Sequence, residues 1–287
     1  MDLSIIIPSY NTSRLLERCL TSIYKSLKGP VIAFEVIVVD NASSDGSQGM
    51  VRKKFPQVQL VCNKTNVGYS KANNQAITKA KGEYVLLLNS DIEVQGDAIG
   101  TLLGFVRSKE KVFAGGKLFN EDGSAQPSCG PFFSLPVVAL MLFARGDYWG
   151  VTRSSPDQTK CVDWVSGACL MGRSVDFIRV GLFDAGIFMY MEDIELLYRA
   201  RKKGYSTWFT PDARLIHTGA ASSGDRRTPV VNIYRGLLYF YRKHYGPRAL
   251  TLLCTMLRAK ALAAIIVGRM IGKPGIVQTY EEAFRVL

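Results

Sequence analysis

The chain has no CxxC pair and no zinc-type spacing among its six cysteines, which lie scattered at positions 19, 62, 129, 161, 169 and 254. That scatter argues against a disulfide framework or a zinc module and fits reduced thiols in a cytoplasmic protein. No basic, apolar and small-residue leader precedes the first strand, because Met1-Asp2-Leu3-Ser4 runs directly into it, so no signal peptide is expected. Neither GxGxxG nor GxxxxGK[ST] occurs, which disfavours a dinucleotide cofactor and P-loop chemistry. Helix-turn-helix, zinc-finger and RNA-binding aromatic signatures are missing too, as are repeats and low-complexity segments.

What is present is apolar content and positive charge. Apolar residues make up 47% of the 287, enough for a substantial core. The net charge of +12 calls for an anionic partner. Nucleic acid ranks last in the absence of its motifs, leaving a phosphate-bearing substrate or an anionic membrane surface. Much of the excess lies beyond residue 200. There, Ala249 to Gly272 reads as a mostly apolar helix stopped by Lys273-Pro274-Gly275. It is long enough to cross a bilayer, but Arg258 and Lys260 near its middle make a span costly. Arg248, Arg258, Arg269 and Lys273 fall close together on a helical wheel, so an interfacial helix or hairpin on an anionic leaflet fits better. A buried helix of the same domain is the competing reading. Residues 1–245 are expected to form the main domain and 246–287 a helical, membrane-associating tail. A homo-oligomer is compatible with the sequence.

The first third alternates strands and helices. Leu3 to Ile7 is an apolar strand ended by Pro8, Arg14 to Lys28 an amphipathic helix, and Phe34 to Val39 a second strand. A helix near Gln48 to Lys54, a strand at Val58 to Cys62, a helix at Ser70 to Ala80 and a strand at Tyr84 to Leu88 follow. Strands separated by helices imply a Rossmann-like α/β sheet with right-handed crossovers. Further on, strands are expected at Gly115 to Phe119, Val162 to Met171 and Ser206 to Phe209, the last ended by Pro211, with a helix at Ile194 to Lys203. The stretch from Pro127 to Pro156 reads as a mobile covering loop.

Candidate functional residues gather at the carboxyl ends of these strands, where open α/β sheets bind ligands. Asn89-Ser90-Asp91 ends the most apolar strand, and oxygen ligands there suit Mg²⁺ or Mn²⁺ bridging phosphates. A helix cap is the plainer role for Asp91. Pro8-Ser9-Tyr10-Asn11 and Asp40-Asn41 end the first two strands, and the segment Gly68 to Asn74, with Lys71, enters the third helix from the same edge. Glu192-Asp193 opens a later helix, and His217 follows the strand after it.

In order and wording these segments resemble the family 2 glycosyltransferases, over about residues 3–245. The resemblance implies the GT-A fold, a mixed sheet flanked by helices, here with a C-terminal helical extension. It implies that Pro8, Ser9, Tyr10, Asn11, Asp40, Asn41, Gly68, Lys71, Asn74, Asn89 and Ser90 hold a nucleotide-sugar donor. Asn89-Ser90-Asp91 takes the place of the family's DxD motif with Asn89 for the first carboxylate, so Asp91, completed by His217, would bind the metal. Glu192-Asp193 resembles the ED motif, with Asp193 as catalytic base and Glu192 tuning it or orienting the acceptor. Gly167, Ala168 and Trp164 fall on the acceptor side, Trp164 as a stacking candidate. An inverting transfer to a saccharide or lipid-linked acceptor is implied, on the cytoplasmic face of a membrane. Residues 162–205 look most like bacterial rhamnosyltransferases, hence dTDP-L-rhamnose. A UDP-hexose donor, a noncatalytic sugar-nucleotide binding module and a nucleotidyltransferase are the alternatives.

Overall fold

The computed structural model describes residues 1–28, 32–219 and 227–287. Its first half is built by strands buried on both faces. In β1 (Leu3–Ser9) every residue is buried, with Leu3, Ile5 and Ile7 in one core and Ile6 in the opposite one. This period of two places apolar side chains under helices on each side, about 1.5–3 kcal/mol for each buried Ile. Helix α1 (Ser13–Ser26) buries Leu16, Cys19, Leu20 and Ile23, the i, i+3, i+4, i+7 stripe of a helix lying on a sheet. Then come β2 (Phe34–Asp40), α2 (Ser47–Lys54), β3 (Gln59–Cys62), α3 (Tyr69–Ile77) and β4 (Tyr84–Leu88). These four strands run parallel in the order β3-β2-β1-β4. The chain reverses its winding between β1 and β4, so a crevice opens at their carboxyl ends. β1 passes through Pro8 instead of ending there. Its pairing with β4 stops at Ile6, so the proline lies where the strand has lost one neighbour.

The second half turns the sheet into a mixed one. It comprises β5 (Ile92–Val94), α4 (Ala98–Arg107), β6 (Val112–Phe119), β7 (Ala125–Gln126), β8 (Cys129–Gly130) and α5 (Leu135–Phe143), followed by β9 (Lys160–Val162), β10 (Trp164–Val165), β11 (Cys169–Arg173), α6 (Ser174–Val180), α7 (Glu192–Lys202) and β12 (Ser206–His217). β11 lies antiparallel between β4 and β6, and β12 closes the far side, paired with β6 and β5.

Three expectations change here. The strand expected over Val162 to Met171 is broken at Ser166-Gly167-Ala168 into β10 and β11, which belong to different sheets. The strand expected to stop at Pro211 continues to His217, because an irregularity between Thr210 and Arg214 absorbs the proline. The segment Pro127 to Pro156 is not open coil: it holds β8 and α5, whose Pro136 sits in the first turn where a missing N–H costs nothing.

The C-terminal helices α8 (Arg227–His244), α9 (Pro247–Met270) and α10 (Pro274–Arg285) complete the chain. Leu253, Leu257 and Ala261 of α9 are fully buried in the same core as β1 and α7, so the tail is packed onto the domain. Its opposite face exposes Leu252, Leu262, Ile266, Val267 and Met270. Two of the basic residues on the expected stripe are engaged by the C-terminal segment: Arg269 pairs with Glu281 of α10 at 3.1 Å, and Arg258 donates to the carbonyl of Leu287, beyond α10, at 3.2 Å.

Candidate active site

A cleft of about 750 Å³ opens at the β1/β4 crevice. Pro8 and Ser9 from β1, Tyr10 just after it, Asn41 after β2, Gly68 before α3 and Asn89, Ser90 and Asp91 after β4 line it. Buried hydroxyls tie these strand ends together. Thr12 donates to Ser90 at 2.9 Å and stands 3.0 Å from the Ser9 hydroxyl. Gly68 has a φ of +85°, and a Cβ there would meet the Phe188 ring and carbonyl at 2.7 Å. Glycine is therefore required where the 188–191 segment closes on α3.

His217 is delivered to Asp91 by the pairing of β12 with β5, in which His217 faces Ile92. Its Nε2 lies 3.3 Å from Asp91 Oδ1 and 3.3 Å from the Asn89 amide nitrogen. Its Nδ1 lies 2.6 Å from Gln126 Oε1. The Gln126 amide nitrogen already donates to Asn120 and to the His217 carbonyl, so Oε1 is the atom facing the ring. That assigns the proton to Nδ1 and directs the Nε2 lone pair at Asp91, the arrangement by which an outer hydrogen bond orients a metal-binding histidine. Two ligands of an octahedral ion with bonds of about 2.1 Å stand about 3 Å apart, so one oxygen and one nitrogen here suit a divalent cation. Among the described residues no three His, Cys, Asp or Glu side chains converge on an ion. A metal at this place needs most of its ligands from a bound diphosphate or water. The residues fit such an ion.

Asp193, the second residue of α7, also lines the cleft. Its Oδ2 accepts the Gly167 N–H at 2.8 Å and its Oδ1 accepts the Ile194 N–H at 2.8 Å. Burial pushes its pKa up, while the two backbone donors and the charge of Arg153 oppose that rise. Asp193 is therefore held in place by two backbone donors, with lone pairs to spare. Glu192 is different. Burial first, then the neighbouring Asp193 charge, push its carboxyl up to about 8, and its Oε2 has no partner among the described residues. Tyr190 and Met191, just before it, both have positive φ (68° and 75°). Consecutive left-handed non-glycine residues are uncommon and concentrate at functional sites. Behind the pair, fully buried Glu195 pairs with Arg199 within α7 and holds α7 to α8 through Lys243 and His244.

Glu192 makes stability depend on pH. Its folded pKa is raised, so the stability linked to it is complete below the ordinary value of 4.5 and is lost as pH rises toward 8. Glu192→Gln should therefore melt about 3–8 °C above the parent at pH 8.5 and close to it at pH 5. Calorimetry at the two pH values checks this, and an offset independent of pH would show that Glu192 is not desolvated as described.

Of the residues singled out in the sequence, Pro8, Ser9, Tyr10, Asn41, Gly68, Asn89, Ser90, Asp91, Gly167, Ala168, Glu192, Asp193 and His217 line the cleft. Five do not. Asn11 braces the 43–45 loop through Ser43 and Ser44. Asp40 binds the Ser43 N–H and Gln48 through Oδ1, and leaves a buried, unpaired Oδ2. Lys71 is exposed, and Asn74 is spent on both backbone groups of Phe183. Trp164 is 2% exposed and donates to the Pro131 carbonyl, so its role is packing. Ala220, Ala221 and Ser222, after His217, lie outside the described residues. Gln126, Thr12, Arg153 and Tyr69, whose hydroxyl holds the Gly167 carbonyl at 2.7 Å, were not foreseen.

A mixed sheet of this order, with an Asp–His pair and a pinned carboxylate in one cleft, has the architecture of the GT-A fold. Solved structures of that fold align with the chain: the mannosyltransferase PcManGT of Pyrobaculum calidifontis, in complex with GDP-Man and Mn²⁺, superposes with a TM-score of 0.60 at 18% identity, over 98% of this chain and 84% of that one. Residues 4–128 match the family described as glycosyl transferase family 2. The N-acetylglucosaminyl-diphospho-decaprenol L-rhamnosyltransferase of Mycobacterium tuberculosis is 31% identical over 243 residues, 77% of this chain and 78% of its own. Rhamnosyltransferase WbbL of Escherichia coli is 30% identical over 161 residues, 52% of this chain and 60% of its own. The chain belongs to glycosyl transferase family 2 and is a glycosyltransferase.

Proposed function

We propose that the enzyme transfers L-rhamnose from dTDP-L-rhamnose to a lipid-linked saccharide, with inversion at the anomeric carbon. The observation that carries the chemistry is the presence of Asp91–His217 and of Asp193 in one cleft, linked through the 167–168 turn that bonds both Asn89 and Asp193. The donor assignment is supported by relatives whose names specify rhamnosyl transfer. Asp91 and His217 would hold Mg²⁺ or Mn²⁺, whose charge would neutralise the departing diphosphate. Asp193 takes the proton of the acceptor hydroxyl as its oxygen bonds to C1. The bond from C1 to the diphosphate oxygen breaks on the opposite face, and the nucleoside diphosphate leaves. Glu192, protonated at neutral pH, hydrogen-bonds the acceptor and orients it. A panel of sugar nucleotides tests the donor, read by hydrolysis and thermal stabilisation with and without Mn²⁺. Strongest stabilisation by dTDP-L-rhamnose is expected; preference for a UDP-hexose would move the assignment to that donor with the mechanism unchanged.

The location we infer is the cytoplasmic face of an anionic membrane. Exposed Leu252, Leu262, Ile266 and Met270 form an apolar face on α9, with exposed Arg248 and Lys273 at its two ends. Each basic residue near an anionic surface contributes about 1 kcal/mol, and apolar insertion adds to it. The double variant Leu262→Glu, Ile266→Glu should co-sediment with anionic vesicles about tenfold less while hydrolysing donor normally, since neither residue touches the cleft. Equal sedimentation of parent and variant would remove α9 from membrane binding. Truncation after Gly246 is the wrong probe, because it strips Leu253, Leu257 and Ala261 from the core.

A further inference from the structure

We propose that the cleft continues into a subsite for the diphosphate and hydrocarbon chain of a lipid-linked acceptor, with Arg153 facing the diphosphate and Leu140, Phe143, Tyr148 and Trp149 taking the chain. It rests on the glycosyl-transfer reading above and assigns residues that the transfer chemistry does not use.

Arg153 is the one lysine or arginine among the described residues lining the cleft. It lies on the acceptor side, near enough for its charge to act on Asp193, and its guanidinium packs over the Trp164 ring at 5.4 Å. It forms no salt bridge among the described residues. The adjoining backbone is fixed: Ser154 N–H donates to Cys129 at 2.8 Å, and Ser128 N–H donates back to Ser154 at 3.0 Å. A positioned guanidinium with its donors unspent is the group that recognises phosphate oxygens. Ser154, next to Arg153, pairs with Ser128 and Cys129, close in sequence to the Gln126 that faces His217, so whether the donor's diphosphate and a second diphosphate at Arg153 bind together is a point the test must decide.

The apolar half begins two residues upstream. The loop from Arg145 to Thr152 is closed by Gly146 N–H to the Leu140 carbonyl and Val151 N–H to the Gly146 carbonyl, each at 2.9 Å. The Thr152 hydroxyl donates to Asp147, which fixes that carboxylate within the loop. This built loop presents Tyr148 at 76% exposure and Trp149 at 70%, ring against ring at 5.1 Å. Helix α5 is apolar all round: Val138 and Leu142 point into the core, Met141 lines the cleft, and Leu140 and Phe143 face solvent. One helix thus lines the cleft and carries the exposed face. A cleft-lining cation, with exposed apolar side chains on the adjoining loop and on the helix that also lines the cleft, matches an amphiphile with a diphosphate head and a long hydrocarbon chain.

Farnesyl diphosphate, a soluble amphiphile of that chemistry, is the probe, titrated by calorimetry into the full chain beside dTDP with Mn²⁺. The parent should bind it, and it should bind also when dTDP is present. Arg153→Gln and Trp149→Ala should each weaken it about tenfold or more and leave dTDP binding within about twofold. Farnesol and inorganic diphosphate should each bind far more weakly than farnesyl diphosphate. Binding of dTDP without any of farnesyl diphosphate overturns this inference and leaves the transferase reading standing; binding of neither overturns both. Mutual exclusion with dTDP would place the probe at the donor's diphosphate and overturn it too. Loss of vesicle binding in Trp149→Ala with farnesyl diphosphate affinity unchanged would make the loop a membrane contact instead.

Discussion

Asp193→Asn is expected to lower the rate of transfer about 10²–10⁴-fold while donor binding stays close to that of the parent. The amide oxygen can keep one of the two backbone hydrogen bonds, from Gly167 or Ile194, so the start of α7 should hold its place. What it cannot do is accept the proton of an attacking hydroxyl. Single-turnover rates measured beside calorimetric donor affinities separate the two effects. Transfer at the parental rate would remove Asp193 from the mechanism. A parallel loss of donor affinity would mean that the substitution has disturbed the 188–191 segment, whose strained Tyr190 and Met191 lead directly into the pair.

Asp91→Ala should cost about 10²–10³-fold in transfer and abolish the difference that Mn²⁺ makes to nucleoside diphosphate binding. It removes the carboxylate that faces His217 Nε2 and leaves the site with one nitrogen ligand. Binding of the bare nucleoside should change little. Asp40→Asn should do the reverse. Asp40 does not itself line the cleft but adjoins Asn41, which does; its unpaired, buried Oδ2 is the acceptor that the assignment gives to a base N–H, and an amide there presents a donor instead. Calorimetry of nucleoside and nucleoside diphosphate against both variants gives a crossed pattern under this assignment. Equal losses for both ligands in both variants would show the two ends of the cleft wrongly assigned.

The half of the site contributed by β1, β2 and β4 was readable because each residue sits at the end of a short apolar run, and parallel strands bring such ends to one edge. Asp193 and His217 were readable as motifs, but their routes into the cleft were not. His217 reaches Asp91 only because β12 runs on through Pro211 and pairs with β5, a three-residue strand too short to show a pattern. Gly167 reaches Asp193 because the apolar run from Val162 to Met171, which reads as one strand, breaks there. Apolar runs do not reveal which residue turns a backbone N–H inward. Trp164, Lys71 and Asn74 mark the limit of residue-type reasoning: an aromatic, a cation and an amide near a motif are equally suited to packing, solvent or a backbone brace. Helix α5 escaped notice because an all-round apolar segment has no 3.6-residue stripe, and its Pro136 reads as a breaker when it sits in a first turn. The basic stripe on α9 was visible on the wheel, but the pairing of Arg269 with Glu281 and of Arg258 with the Leu287 carbonyl depends on tertiary contacts.

The most direct measurement is the anomeric configuration of the product, followed by NMR from the first turnovers with dTDP-L-rhamnose, Mn²⁺ and a diphospholipid-linked saccharide. Under the proposed mechanism, with Asp193 as the single base and Asp91 and His217 holding a metal that would bind the diphosphate, the product is expected to have the configuration opposite to the donor, and a chelator is expected to stop its formation. A product that retains the donor's configuration would contradict the account, because it requires a second displacement that no residue in this arrangement has been assigned to perform.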